Sequence, residues 1–250
     1  MRFSINIPNF GDFADPATVA KVAAASEQAG WDALFVWDHV VHDKDERRGQ
    51  PFGDPWMLLT AAALATSRLR LGTLVAAVAR RRPEQLARQV ATLDSLSGGR
   101  VIFSAGLGGP IDGDFASFGE PADPVVLAER LDEGLDLLQR YWSGEPVNHR
   151  GRHYYVDDVT LLPASVQRPR PPVWIGGVWP HRRPMRRAAP RAGTAWSPCS
   201  RRRATDIPRA LTRCGNWSAT STGIAWIGGP IPSRSSWAAS VRATPRRRAT

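Results

Sequence analysis

Three times in its first 130 residues this chain carries Asp-Pro: Asp15-Pro16, Asp54-Pro55 and Asp123-Pro124. A fourth time, Pro83 stands alone in that position. An Asp side chain accepts the free N–H groups of a first helical turn, and Pro loses no hydrogen bond at the first helical position. Each of these sites therefore predicts a helix start. The residues that follow keep helical spacing: Val19, Val22 and Ala23 in the first helix, and Leu86, Val90, Leu93 and Leu96 in the third. The fourth carries Leu127, Leu131, Leu135, Leu138 and Trp142, and the second is expected to run to about Ala65. Gly30 and Gly98 stand where left-handed helix ends fall.

Short strands are expected between the helices. Residues 2–8 (RFSINIP) alternate in polarity; residues 33–37 (ALFVW), 69–76 (LRLGTLVA), 101–105 and 173–176 are almost wholly apolar. Such runs suit a parallel sheet covered on both faces. The polar, aromatic run HRGRHYYVDDVTLLP at 149–163 reads as an inserted hairpin, and residues 181–189 as the start of a fifth helix. Strand–helix alternation at about 30–40 residues per unit implies parallel pairing through right-handed crossovers. This leaves an open doubly wound sheet or an eight-stranded barrel. The 250 residues match the usual barrel length of about 250, but only five units are legible.

The formal charge of +10 invites an acidic partner. Its distribution argues against one. Residues 1–189 balance 22 basic against 22 acidic residues, while residues 190–250 hold 11 Arg and one acid, Asp206. RRR at 201–203 and 246–248 makes only a crude phosphate-binding surface, so no nucleic-acid partner is expected. No run of 18 apolar residues suggests a membrane span, and MRFSINIPNFGDF lacks the order of a secretion signal. A cytoplasmic protein with no membrane partner is expected. Cys199 and Cys214 have no metal-ligand spacing around them.

Five segments, in order, resemble the luciferase-like flavin-dependent oxidoreductases: EQAGWDALFVWDH (27–39), LRLGTLV (69–75), RRRPEQLARQVATLDSLSGGRVIFSAGLG (80–108), ERLDEGLDLLQRYWSGEP (129–146) and SVQRPRPPVWIGG (165–177). The likeness covers residues 1–189. It implies a (β/α)8 TIM-type barrel, incomplete here, with strands six to eight lost. It also implies a flavin cofactor, FMN or coenzyme F420, a small organic substrate, and a homodimer as found in many relatives.

The loss is explained by the tail. Residues 190–250 contain no Lys, Glu, Phe or Tyr, one Leu and one Val, yet four Trp. Leu and Val are what barrel strands need. Read one base over, Ala195-Trp196 and Pro198-Cys199 each encode Leu, Val or Met, and Trp196-Ser197 encodes Val or Glu. Residues 193–200 can then read D-G-V-V-P-V-L, and 214–220 can read R-E-L-V-G-Y-L. The expectation is a barrel domain over 1–189 and an out-of-frame, disordered tail over 190–250, with a one-base insertion or deletion near codons 186–192. The competing expectation is an inactive, truncated or pseudogene product that binds no cofactor.

In such barrels the site lies at the C-terminal ends of the strands. The resemblance places a catalytic, cofactor-facing imidazole at His39, suited to moving a proton near neutral pH. It places a bulge with a cis peptide at Thr73, Leu74 and Val75, behind the cofactor ring, with the cis bond at Leu74–Val75. Gly106 and Gly108 would let backbone approach that ring, with Asp112 and Asp114 as the nearest acids after that strand. Gly176 and Gly177 would meet the cofactor's phosphate-bearing tail at a helix start. Asp38 reads as a loop or cap carboxylate. Arg80, Arg81 and Arg82 read either as a clamp on an acidic cofactor tail or substrate or as a solvated loop. His42, His149, His153 and His181 read as surface residues, and Arg130 and Glu133 as part of a helix network. No metal site is expected.

Overall fold

The computed structural model describes residues 3–41, 48–177 and 194–198. The helix starts fall at the Asp-Pro sites. Helix α1 (Pro16–Gln28) is capped by Asp15, whose carboxylate accepts from the N–H groups of Ala17 and Thr18. Helix α2 (Pro55–Leu64) is capped by Asp54, α3 (Pro83–Leu96) opens on Pro83, and the long α5 (Pro124–Ser143) is capped by Asp123. A single turn, α4 (Ile111–Asp114), precedes α5 and has no counterpart in the sequence expectation.

The strands β1 (Ser4–Ile7), β2 (Ala33–Val36), β3 (Arg70–Thr73), β5 (Val101–Gly106), β8 (Val173–Gly177) and β9 (Thr194–Pro198) form one parallel sheet in that order. The two-residue β4 (Ala76–Ala77) also pairs with β5. A separate antiparallel hairpin, β6 (Val147–Arg150) and β7 (Tyr155–Val159), is the expected insertion. The run expected as the third strand, 69–76, is interrupted at Leu74 and Val75, and their peptide bond is cis, at the position the resemblance implied.

One face of the sheet packs under the helices. Ile7, Leu34, Val36, Leu71, Val101, Phe103, Val173 and Ile175 share a core with Val19, Leu59, Leu86 and Leu138. The alternate residues Ala33, Phe35, Ile102 and Trp174 form a second cluster on the opposite face, topped by the half-buried Leu74. The Phe35 and Trp174 rings lie 5.3 Å apart. Two-sided burial accounts for the near-continuous apolar strands.

The sheet contains more of the barrel than expected. β9 lies inside the segment from which barrel strands were expected to be lost, and it pairs in register with β8 from Val173↔Thr194 to Gly177↔Pro198. The strand ladder is made by main-chain groups, so a biased composition does not by itself remove it. The expected helix at 181–189 lies outside the described residues, as do His42 and His181.

Candidate active site at the strand C-termini

His39 follows β2 at its C-terminal end. Its backbone is held by Asn9, from the end of β1. Asn9 Nδ2 donates to the carbonyls of His39 (2.7 Å) and Gly53 (2.8 Å), and its Oδ1 accepts from the His39 N–H. Asn9 is fully buried. The imidazole Nδ1 lies 2.8 Å from Oδ2 of Asp114, whose side chain is also fully buried. The other oxygen of Asp114 accepts from the N–H groups of Val40 and Val41. Burial pushes the Asp114 carboxyl up. The His39 hydrogen bond, the Val40 N–H and the charges of His39 and Arg80 outweigh that and hold it below the ordinary aspartate value. An ionised Asp114 accepts only, so His39 Nδ1 carries the donated proton, and in the neutral ring Nε2 is the acceptor. The Trp37 ring meets the imidazole edge-on at 5.7 Å. The result is an oriented base, 20% exposed, at the mouth of the parallel strands.

Asp38 stands in the loop after β2, as read, but it does more than a solvated loop carboxylate. It is buried and ion-paired with two arginines: Arg80 Nη2 at 2.8 Å and Arg81 Nη2 at 2.7 Å from Oδ1. Arg81 Nε and the Ala77 N–H donate to Oδ2. Arg80 and Arg81 are thus an internal lock between β2 and the turn after β4, and only Arg82 is exposed. Buried charges must be paired, and Asp38 supplies the pairing.

The glycines have a packing role inside the fold. A Cβ on Gly106 would lie 2.7 Å from Val75 Cγ2, and one on Gly176 would lie 2.6 Å from Val75 Cγ1. Both glycines make room for Val75, which wedges between the ends of β5 and β8. Gly108 has φ +84°, and a Cβ there would lie 2.6 Å from Ala77 Cβ. With Val75 turned into this wedge, Leu74 remains on the barrel-facing cluster. The fully buried Thr73 donates its hydroxyl to the Ser104 carbonyl. Gly177 ends β8. Asp112 lies on α4, and its carbonyl accepts from the Ser117 hydroxyl.

Farther away, His149 and His153 are not free surface residues. They are 15% and 14% exposed and contact Glu133 and Glu129 at 2.9 and 3.0 Å, fastening the hairpin to α5. Arg130 pairs with Glu120 at 3.0 Å. Among the described residues no cluster of His, Cys, Asp and Glu could hold a metal ion. Sequence reasoning passed over Asn9, although an amide directly after the first strand sits where site residues gather.

Fold and site together define a parallel β/α barrel of the kind that places its chemistry at the strand C-termini, here with a buried carboxylate behind a histidine. Residues 1–199 match the family model described as luciferase-like monooxygenase, and the chain belongs to that family. It is 32% identical over 168 residues to an F420-dependent glucose-6-phosphate dehydrogenase of Nakamurella multipartita, covering 66% of this chain and 48% of the relative. It is 34% identical over 160 residues to the enzyme of that name from Beutenbergia cavernae, covering 63% and 45%. Among solved structures, the monooxygenase RslO1 from Streptomyces bottropensis is similar at 28% identity and TM-score 0.60, covering 70% of this chain and 53% of that one. An F420-dependent secondary alcohol dehydrogenase in complex with an F420-acetone adduct shares the fold at 21% identity and TM-score 0.63. The chain spans about half the length of the relatives it matches.

Proposed function

We propose that this chain carries the ring-binding half of a flavin-type redox site, taking FMN or F420 with a small organic substrate. The observation that carries the reading is the His39–Asp114 pair at the strand ends. The residues fit a flat ring. Leu74 offers a half-buried apolar surface over Phe35 and Trp174, and the Val75 wedge fixes its position. When bound, such a cofactor supplies two-electron chemistry, hydride transfer with F420 or oxygen activation with FMN. His39 accepts or returns a proton through Nε2 while Asp114 holds the ring nitrogen on the other side. Thr73 and Ser104 brace the bulge from beneath.

Titration of the full chain with FMN and with F420, followed by cofactor absorbance, tests this. A saturable shift with one of them, with tightness or spectrum altered in His39→Ala, is the expected result. Absence of a shift with both rejects the reading in favour of an inactive product. That second reading draws on the sheet itself: among the described residues β1 and β9 each pair on one side only.

The tail is proposed to be out of frame from near codons 186–192. The shifted reading also places apolar residues at 195–200, so both frames support an extended segment at the position of β9. A homodimer is proposed through α2, which is apolar on all sides and leaves Met57 56% and Leu64 72% exposed, two turns apart on one face.

A further inference from the structure

We infer that Trp37 is a side wall of the substrate chamber, and that the chamber takes an uncharged substrate whose flat apolar ring lies against Trp37 with its carbonyl or hydroxyl toward His39. The inference rests on the proposed role of His39 and adds to it the class of substrate.

Strand alternation places the residue. Leu34 and Val36 of β2 join the core under the helices, while Ala33 and Phe35 lie on the opposite, inner face. The ladder with β1 continues one residue beyond β2, because the Trp37 N–H donates to the Ile7 carbonyl at 3.0 Å. Side chains alternate along such a ladder. Trp37 therefore falls on the Phe35 face, and Asp38 turns the other way to meet Arg80 and Arg81. The Trp37 ring leans toward the end of β1. Its centre lies 5.9 Å from that of Phe10 and 5.7 Å from that of the His39 imidazole, edge-on to both. Phe10 lies 5.2 Å from Phe52, and a β-bridge holds the two residues together. Phe10 is 3% exposed and backs the wall, while Trp37 and Phe52 are half-buried. A part-open indole on such a backing offers a large apolar surface at little cost in ordering.

The polar groups gathered at the strand ends are engaged within the chain. Asn9 uses its amide on His39 and Gly53. Asp38 holds Arg80 and Arg81, whose side chains are 8% and 19% exposed, and the Arg80 guanidinium lies over the Phe115 ring at 6.0 Å. Asp114 holds His39 and the N–H groups of Val40 and Val41. Thr73 is buried on the Ser104 carbonyl. Val40, next to His39, is 41% exposed. Among the described residues, this end of the sheet thus presents an imidazole flanked by Trp37 and Val40, with its two arginines turned inward. A phosphate or carboxylate on the substrate calls for a guanidinium, an ammonium or a set of open N–H groups. A flat ring calls for apolar contact and one polar group to fix its orientation, and Trp37 with His39 supplies both.

Nitrogen-resolved NMR of the histidine-labelled full chain tests this without cofactor, with His39→Gln identifying the His39 signals. The chain is titrated with acetophenone and, separately, with glucose 6-phosphate. Acetophenone should move the His39 signals saturably, and glucose 6-phosphate should leave them in place. Trp37→Ala should weaken the acetophenone response by about tenfold, and Trp37→Phe, which keeps a flat ring, by no more than about threefold. No saturable move with acetophenone, equal affinity in the parent and Trp37→Ala, or an equal loss in Trp37→Phe and Trp37→Ala overturns the inference. So does a glucose 6-phosphate response as tight as that of acetophenone. If Trp37→Ala does not fold, Trp37→Leu decides: weaker binding than the parent supports the wall, and unchanged binding overturns it. If acetophenone binds in this way while neither FMN nor F420 does, the proposed function fails and the apolar site stands. If a cofactor binds and acetophenone does not, the inference fails alone.

Discussion

At the residue scale, the side chains that matter most are acceptors in pre-formed pockets of N–H groups. Glu27 is the clearest case. Its carboxylate accepts from the N–H groups of Ser67 (3.1 Å), Arg68 (2.6 Å) and Leu69 (2.7 Å), tying the end of α1 to the chain entering β3. Burial pushes its carboxyl up, but those N–H groups win and draw it down to about 2. A lowered carboxyl stabilises the fold above the unfolded value, 4.5 for a glutamate, and the contribution fades as pH falls toward 2. Glu27→Gln should therefore lower stability at neutral pH by about 1 kcal/mol after solvent screening, and the parent–variant gap should close below pH 3, roughly. Urea unfolding at about pH 7, above that window, and at about pH 2.5, near its lower end, checks both. Asn9→Ala should cost about 1–3 kcal/mol, because it leaves buried carbonyls of His39 and Gly53 unpaired. Neither residue announces itself in sequence. Glu27 acts across 40 residues and Asn9 across 30, and no periodicity reports such distances.

At the element scale, local signals were read well and long-range ones poorly. Asp15, Asp54 and Asp123 mark helix starts because the cap bonds a backbone two or three residues away, and all three do so. The arginines at 80 and 81 left two readings open, and the structure takes neither. Their partner Asp38 lies over 40 residues upstream, so a buried lock and a solvated run look alike in one dimension. His149 and His153 were misplaced for the same reason: Glu133 and Glu129 belong to another element. The resemblance pointed to Leu74–Val75 as a bulge, and the structure adds why glycines stand at 106 and 176. Ala at either site should strain the wedge by about 1–3 kcal/mol, as overpacking does. Val75→Ala in the same chain should recover most of the loss, because it removes the methyl groups in contact. A double-mutant cycle on thermal unfolding reads this directly; additive losses would show that the glycines serve another purpose.

At the scale of the whole molecule, residues 3–177 build five major parallel strands and their covering helices, and β9 adds a sixth. Family membership follows from the match over residues 1–199. The helix α2 face bearing Met57 and Leu64 should be covered by a second copy. Met57→Lys with Leu64→Lys should turn a dimer into a monomer in sedimentation, and an unchanged mass would reject that face. The composition break at residue 190 governs everything beyond. A barrel needs Leu and Val in its last strands, and residues 190–250 hold one of each. The measurement that tests the account most directly is the source DNA sequence across codons 180–200. The account predicts one extra or missing base near codons 186–192, with the restored frame encoding the remaining apolar strands. An intact frame would contradict it and leave residues 1–189 as the remnant of a barrel enzyme carrying an unrelated arginine-rich tail.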